Sequence, residues 1–359
     1  MADKVSKRQA NFELMRIVAM MMVIVLHYLG KGGILVPYAQ NSSLLNHTAW
    51  LIEAFCIVSV NCYVLISGYF LVESGWKSGR IWSLIAQILF YSVLIPVIML
   101  CLGMISVSEL SIYDWLYFIL PVQSGHYWFA TYYVLFYIFV PILAAGVQNL
   151  EKRTLQIVIA MLFLFLSVGK TIIPFFLAID NSGYHLDWFL CLFLVAAYIR
   201  KYGIAWLEKG KWGMILYIGM CFLIWAISAF SGMVERRTGA LSHYVHMPYT
   251  YNYVFVFLAS VGLFYMFRNL HIKEGKAACL IRKLAPYTFG VYLLHCHNLV
   301  KDIIYSWLGV EKVKESWLFI PHMIFCVLII YLVGTVVDFA RAWIFRVVAG
   351  CVRKKAHDK

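Results

Sequence analysis

The chain has 359 residues, of which 63% are hydrophobic and 13% charged, and its mean hydropathy is +0.80. Soluble domains carry about 45–50% apolar and about 25% charged residues, so these values exclude a soluble globular protein. The formal net charge of +13 raises the question of nucleic-acid binding, but the 30 lysines and arginines are scattered between apolar stretches and form no binding motif. We therefore expect a protein that contacts the lipid bilayer and has no nucleic-acid partner.

Apolar stretches of about 20 residues, each long enough to cross a bilayer, recur along the whole chain. They predict an all-α, polytopic integral membrane protein with about ten transmembrane helices, forming a single domain over residues 1–359. The predicted spans are 11–30, 48–72, 81–103, 127–147, 154–178, 187–200, 213–232, 249–268, 285–308 and 317–345. Charged and polar residues within the first stretch (Glu13, Arg16 and His27) favour a retained helix over a cleaved signal peptide.

An even number of spans places both termini on one side of the membrane. If that side is the cytoplasm, 22 of the 30 cations lie in inner segments, Arg16 lies within the first span, and seven lie outside. The seven are Lys31, Lys170, Arg236, Arg237, Lys301, Lys312 and Lys314. This bias follows the positive-inside rule, and it predicts that both termini are cytoplasmic and that the protein is a multi-pass protein of the plasma membrane.

The first span contains the clearest candidates for function, because an ionisable side chain inside a span is costly. Arg16 and His27 are eleven residues apart, which is about three turns of helix, so they share a face and lie about 16 Å apart along the axis. Glu13 precedes Arg16 by one turn and can pair with it. In the alternative interpretation, Arg16 reaches the inner surface with its long side chain and His27 hydrogen-bonds a backbone carbonyl.

The second predicted span and the loop that follows it contain two further features. Ser67 and Gly68 are small, which is typical of close helix packing in membranes. Lys77 and Arg80 are two cations three residues apart at the predicted inner surface. They are either ordinary positive-inside residues or a clamp for an anionic phosphate.

Polar residues also cluster before the fourth predicted span, at His126 and Trp128, and in the ninth, at Tyr292 and His295. In a helix, His295 and His297 would point about 160° apart, so they could not easily bind one metal ion. The nine cysteines show no C-x-x-C spacing. We therefore expect neither a metal site nor a disulfide.

In combination, these segments resemble the membrane-bound acyltransferase family 3, the O-acyltransferases of bacterial surface polysaccharides. The matching segments occur in family order, and the ten-span layout agrees over nearly the whole chain. They are Phe12-Glu13-Leu14-Met15-Arg16 through His27, Ile66-Ser67-Gly68-Tyr69-Phe70-Leu71, Lys77-x-x-Arg80, His126-Tyr127-Trp128-Phe129 and Phe289-Gly290-Val291-Tyr292-Leu293-Leu294-His295. Lys77 departs from the Arg-x-x-Arg pair of the family, because lysine offers a point charge where arginine offers a planar fork.

The resemblance implies transfer of an acyl group, most often acetyl from acetyl-CoA, to a hydroxyl of a cell-surface or lipid-linked polysaccharide in a bacterial plasma membrane. It implies that His27 is the catalytic base, that Arg16 acts in catalysis and donor binding, and that Lys77 and Arg80 contact the donor phosphates. Supporting candidates are Glu13, Ser67, His126, Trp128, Tyr292 and His295. Acyl-CoA would be a donor substrate, and no tightly bound cofactor is expected.

Three alternatives stay open at this level. Polar groups within spans also mark the pathway of a transporter or flippase, here for a lipid-linked saccharide. The same chemistry could use a succinyl donor. Transfer could be direct, with His27 as the base, or could pass through an acyl-His27 intermediate. Acceptor specificity is expected in the outer connections 31–47, 104–126 and 233–247.

Overall fold

The computed structural model describes residues 8–74, 76–173 and 181–357, with side chains up to Cys351. Within these ranges the regular structure is entirely helical. The first eight helices are α1 (Ala10–Lys31), α2 (Leu44–Cys56), α3 (Ser59–Ser74), α4 (Ser78–Cys101), α5 (Ile112–Ile119), α6 (Trp128–Asn149), α7 (Lys152–Phe163) and α8 (Gly169–Ile172). The remaining eight are α9 (Leu186–Tyr202), α10 (Lys211–Thr238), α11 (His243–His246), α12 (Val254–Arg268), α13 (Lys276–Leu284), α14 (Thr288–His295), α15 (Ile304–Trp307) and α16 (Phe319–His357).

Eight helical segments of the described ranges are long and apolar enough to cross a membrane. They are Ala10–Lys31, Leu44–Ser74, Ser78–Cys101, Trp128–Asn149, Lys152–Ile172, Lys211–Thr238, His243–Arg268 and Phe319–Cys351. The all-α class and the multi-pass architecture follow directly, and these eight correspond to the first five, the seventh, the eighth and the tenth predicted spans. Residues 174–178 of the fifth predicted span lie outside the described residues.

The sixth predicted span corresponds to α9, which has only 17 residues. At 1.5 Å per residue it is about 26 Å long, slightly less than the roughly 30 Å of a bilayer core. It packs against α3, α6 and α7, and most of its side chains are buried. A Cβ added at Gly68 would lie 2.9 Å from the Cβ of Ala196, so the small residue of α3 permits the close packing expected from the sequence.

The continuous helix expected over 285–308 is wrong. The chain is α-helical from Thr288 to His295 and then forms turns up to Ile303. The imidazole Nδ1 of His297 accepts a hydrogen bond from the Leu299 N–H at 3.1 Å, and such local side-chain bonds compete with the helical ladder. Because the helix stops at His295, the angle of about 160° between His295 and His297 does not apply.

The second predicted span is interrupted, since α2 ends at Cys56 and α3 begins at Ser59. The break leaves the Phe55 carbonyl near a helix end, where it lacks its usual partner. The Tyr217 hydroxyl donates to that carbonyl at 2.7 Å. The two halves remain well packed, since 78% of the most apolar stretch within Leu44–Ser74 is buried.

Helix α1 lies inside the bundle and contacts α2, α3, α12, α13, α14 and α16. In the most apolar stretch of α1, 61% is buried. The corresponding value for Lys152–Ile172 is 17%, so that segment exposes most of its surface. We call the side of the bundle where α1 begins the proximal face and the side where α1 ends the distal face. The position of α1 turns its polar residues towards the interior of the protein.

Candidate functional site

A cavity of about 800 Å³ lies beside α1, and its size falls within the roughly 300–1,000 Å³ of small-molecule sites. Arg16 and His27 both line it, so the face that they share is the face that α1 presents to the cavity. Residues of the proximal half include Arg8, Glu13, Arg16, Ser67, Ser74, Arg80 and Tyr137, and residues of the distal half include Glu53, Trp128, Tyr184, Tyr249 and Tyr251. The cavity thus extends from one face towards the other.

The proximal end of the cavity is positively charged. Arg16 donates to Oε1 of the buried Glu13 at 2.6 Å, and Arg8 lies 3.7 Å from its other carboxylate oxygen. Tyr63 donates its hydroxyl to the Arg16 carbonyl at 2.7 Å, which ties α3 to α1 at this level. With Arg80, three guanidinium groups line this end beside one carboxylate. Such an excess of arginine suits the binding of an anion.

Only one member of the Lys77 and Arg80 pair reaches the cavity. Arg80 is on its wall and donates to Ser74 Oγ at 3.4 Å. Lys77 is exposed and does not line the cavity, and its carbonyl accepts from the Tyr137 hydroxyl at 3.4 Å. Arg80 therefore lines the cavity together with Arg8 and Arg16, while Lys77 lies outside this lining.

His27 meets the end of α14 in the distal half. Its ring centroid is 5.3 Å from that of His295, and the Cys296 thiol lies between the two rings. The sulfur is 3.6 Å from Nδ1 of His27 and 3.4 Å from Nε2 of His295. His295 itself is buried and does not line the cavity, so it acts on the site through Cys296.

The hydrogen bonds in this cluster favour one arrangement of the protons. Nδ1 of His295 is 2.6 Å from the Val291 carbonyl, which can only accept, so Nδ1 carries the proton. Nε2 of His295 then accepts the Cys296 thiol proton, and the sulfur accepts Nδ1–H of His27. This arrangement leaves Nε2 of His27 with a free lone pair. His27 is therefore in the tautomer that a general base requires.

The same cluster brings together three groups that bind soft metal ions. One donor atom each of His27, His295 and Cys296 lies within 4.8 Å of the others, and zinc binds imidazole nitrogen and thiolate sulfur. The spacing argument that predicted no metal site considered one helix alone, whereas this set joins α1 to the end of α14. A cation bound here would occupy the atoms that order the hydrogen-bond chain.

Ser67, Trp128 and Tyr292 line the cavity as well. The Ser67 hydroxyl donates to the Tyr63 carbonyl at 2.8 Å and lies 3.0 Å from the Tyr133 hydroxyl. These bonds hold Tyr63 and Tyr133 in place and use the serine proton. Ser67 thus belongs to the framework of the wall.

His126 lies outside the cavity, in the connection before α6. It is buried against His297 and Tyr127, with ring centroids 4.4 Å away in both cases, and neither ring nitrogen has a hydrogen-bond partner among the described residues. Burial lowers the pKa of His126, so the imidazole is neutral. Its surroundings are those of an aromatic packing cluster.

Several wall residues were not singled out from the sequence. Glu53 lies within the predicted span 48–72 and met the criterion that identified Arg16, since it is ionisable and inside a span. Tyr133 is in the middle of α6 and carries no such signal. Tyr184 and Tyr251 lie in connections just before α9 and α12, where aromatic residues are common. Only the three-dimensional fold brings these two together.

The fold and the site are thus those of a multi-pass helical membrane protein with an internal cavity, which has arginines at one end and an imidazole in its distal half. The model of acyltransferase family 3, described as an acyltransferase domain, matches residues 9–338. The chain belongs to this family, as its motifs predicted, and the protein is a membrane acyltransferase. No curated protein and no solved structure gives a significant match to the chain.

Proposed function

We propose that this membrane acyltransferase transfers an acetyl group from cytosolic acetyl-CoA to a hydroxyl of a surface or lipid-linked polysaccharide, in the plasma membrane of a bacterium. The observation that carries the proposal is one cavity with arginines at its proximal end and the free Nε2 of His27 in its distal half. An anionic donor enters at the first, and a hydroxyl is deprotonated at the second. The cation bias of the loops supports a cytoplasmic proximal face.

The donor is held along α1. The axial distance of about 16 Å between Arg16 and His27 is half of a roughly 30 Å hydrocarbon core. Helical side chains lean towards the N-terminus, and Arg16 pairs in that direction with Glu13, so Arg16 and His27 do not meet at one carbonyl. Arg16 therefore contacts an anionic part of the donor, with Arg8 and Arg80, while the pantetheine arm carries the thioester towards His27.

The chemical step is acyl transfer from sulfur to oxygen. Nε2 of His27 takes the proton of the sugar hydroxyl as the oxygen attacks the thioester carbonyl carbon. A carbon–oxygen bond forms, the carbon–sulfur bond breaks, and the CoA thiolate leaves and takes up a proton.

The test compares the surface polysaccharide of the host with and without this protein, by mass spectrometry and NMR. Deletion should remove an acetyl group, and the wild-type chain should restore it. His27→Gln keeps a polar side chain but cannot take the proton, so we expect acetylation to fall by about 100-fold or more. The added mass also distinguishes an acetyl from a succinyl donor.

His271→Gln is the matched control, because His271 is exposed and lies outside the cavity. It should restore full acetylation. Loss of polymer from the surface with the acyl groups intact, on the other hand, would contradict the enzyme and favour a transporter.

A further inference from the structure

The distal half of the cavity contains a carboxylate that the donor and His27 do not explain. Glu53 lines the cavity, and its Oε2 is buried without a hydrogen-bond partner in the described part of the chain. A buried acceptor that lacks a partner is costly, and a buried charge is more so. Oε2 is enclosed by protein, so a hydrogen-bonding ligand in the cavity would reach the carboxyl group at Oε1.

Glu53 and His27 lie in the same half of the membrane. Glu53 is nine residues from the start of α2, so it lies about 14 Å below the distal end of that helix. His27 is four residues before the end of α1, about 6 Å below the same face. A small molecule in the distal half of the cavity can therefore approach both side chains.

Three aromatic side chains that line the same cavity as Glu53 form a continuous wall, which we call the aromatic wall: Trp128, Tyr184 and Tyr251. The centroid of Tyr184 is 4.5 Å from that of Trp128 and 4.9 Å from that of Tyr251, and Trp128 stacks on Tyr251 at 5.8 Å. The three residues come from different segments of the chain, and all of them line the cavity. Tyr184 remains 39% exposed, so its surface is open to a ligand.

A carboxylate beside an aromatic wall matches the two chemical surfaces of a pyranose ring. The C–H groups of one face are apolar and pack against aromatic rings, while hydroxyls at the rim hydrogen-bond to a carboxyl group. A lipid acyl chain would cover the aromatic wall but leave Glu53 without a partner. The combination of both features therefore favours a sugar over a purely apolar ligand.

We propose that Glu53 and the aromatic wall form the acceptor subsite, in which a pyranose lies against Trp128, Tyr184 and Tyr251 and hydrogen-bonds to Glu53 through a hydroxyl. This inference rests on the proposed function and names the residues that select its acceptor. The pose fixes the ring orientation, and hence which remaining hydroxyl meets Nε2 of His27. Acceptor selection thus takes place within the cavity, in addition to any contribution from the outer connections.

The test separates acceptor binding from chemistry. Binding of O-deacylated surface polysaccharide from the host is measured by saturation-transfer NMR on detergent-solubilised protein that carries His27→Ala, so that no transfer occurs. Adding Glu53→Gln should weaken glycan binding by about tenfold, as expected when an amide replaces the hydrogen-bonding carboxyl group. Tyr184→Ala should weaken it as well. Binding of labelled acetyl-CoA should stay unchanged in both, which shows that the variants are folded.

Glu315→Gln, an exposed position outside the cavity, is the matched control and should bind glycan normally. Glycan binding by Glu53→Gln equal to that of the control would overturn the inference. A wild-type protein that binds glycan through Glu53 but transfers no acetyl group would contradict the proposed function and leave the subsite supported.

Discussion

At the scale of single residues, the hydrogen bonds between Val291 and His27 run in one direction because one end of the chain is a carbonyl. That carbonyl cannot donate, so each group along the chain donates towards it: His295, then Cys296, then His27. The only group left with a free lone pair is Nε2 of His27. In the proposed reaction, Cys296 is therefore a positioning residue, because its thiol selects the tautomer of His27.

Replacing Cys296 by Ala removes this link and lets His27 adopt either tautomer. A hydrogen bond contributes about 1 kcal/mol, so we expect kcat to fall about threefold to tenfold with little change in the KM for acetyl-CoA. Cys296→Ser keeps a donor and acceptor at this position and should recover part of the loss. Steady-state kinetics of purified protein measure both.

Cys326→Ser is the matched control. The Cys326 thiol also lies next to an imidazole, 3.5 Å from Nδ1 of His322, but His322 does not line the cavity, whereas His27 does. It should leave kcat unchanged. The assignment of Cys296 as a positioning residue fails if Cys296→Ala retains wild-type kcat, or if the control loses as much.

The sequence predicts those residues of the site that lie together on one helix. Arg16 and His27 follow from the period of α1 and from the cost of a charge within a span. Cys296 could not be predicted in the same way, since its contact with His27 depends on the end of α14 and on packing between distant segments. Glu53 carried the same signal as Arg16, and it was missed because no partner at helical spacing drew attention to it.

At the scale of helices, α14 packs against α16 through a glycine. A Cβ added at Gly290 would overlap the side chain of Asp338. Asp338 cannot move aside, because its carboxylate accepts from Gln87 at 2.9 Å, Tyr91 at 3.0 Å and Arg341 at 2.7 Å. The glycine of the Phe289–His295 motif is thus required by packing against a buried, fully bonded aspartate, and it holds the end of α14 where Cys296 can reach His27.

Gly290→Ala should therefore destabilise the protein. Overpacking of a filled site costs about 1–3 kcal/mol, so the thermal unfolding midpoint in detergent should fall. Gly219→Ala is the control, because a Cβ there meets open space in the middle of α10 and alanine favours a helix by about 1 kcal/mol. Its midpoint should be equal or higher. A midpoint for Gly290→Ala as high as that of Gly219→Ala would contradict this account of the motif.

The apolar length of each stretch predicts most of the helices, because the bilayer sets that length. Their interruptions were not predictable, since they depend on groups far away in the sequence or on local side-chain bonds. The break after Cys56 has neither glycine nor proline, and the Tyr217 hydroxyl satisfies the carbonyl that it frees. The end of α14 depends on the His297 side chain. Helix α9 is short for a span because it is enclosed by protein instead of lipid.

At the scale of the whole molecule, the two ends of the cavity differ in charge, and they lie towards opposite faces of the membrane. Arg8, Arg16 and Arg80 line the proximal end, and Glu53 lies in the distal half. In the function proposed above, a donor with phosphates is bound from the proximal face and an acceptor with hydroxyls from the distal face. This division requires that the proximal face is cytoplasmic, which the bias of the lysines and arginines predicts.

Two cysteines of the chain test this orientation, so no new cysteine has to be introduced. Cys101, at the distal end of α4, and Cys279, in α13 on the proximal face, are both exposed. In intact cells, a membrane-impermeant maleimide should label Cys101 alone, and Cys279 should react only after the membrane is opened. Each signal is assigned with a variant that keeps one of the two cysteines. In that variant Cys351 and the other member of the pair are replaced by serine. Labelling of Cys279 from outside would reverse the orientation and place the arginines on the wrong side for a cytosolic acyl-CoA.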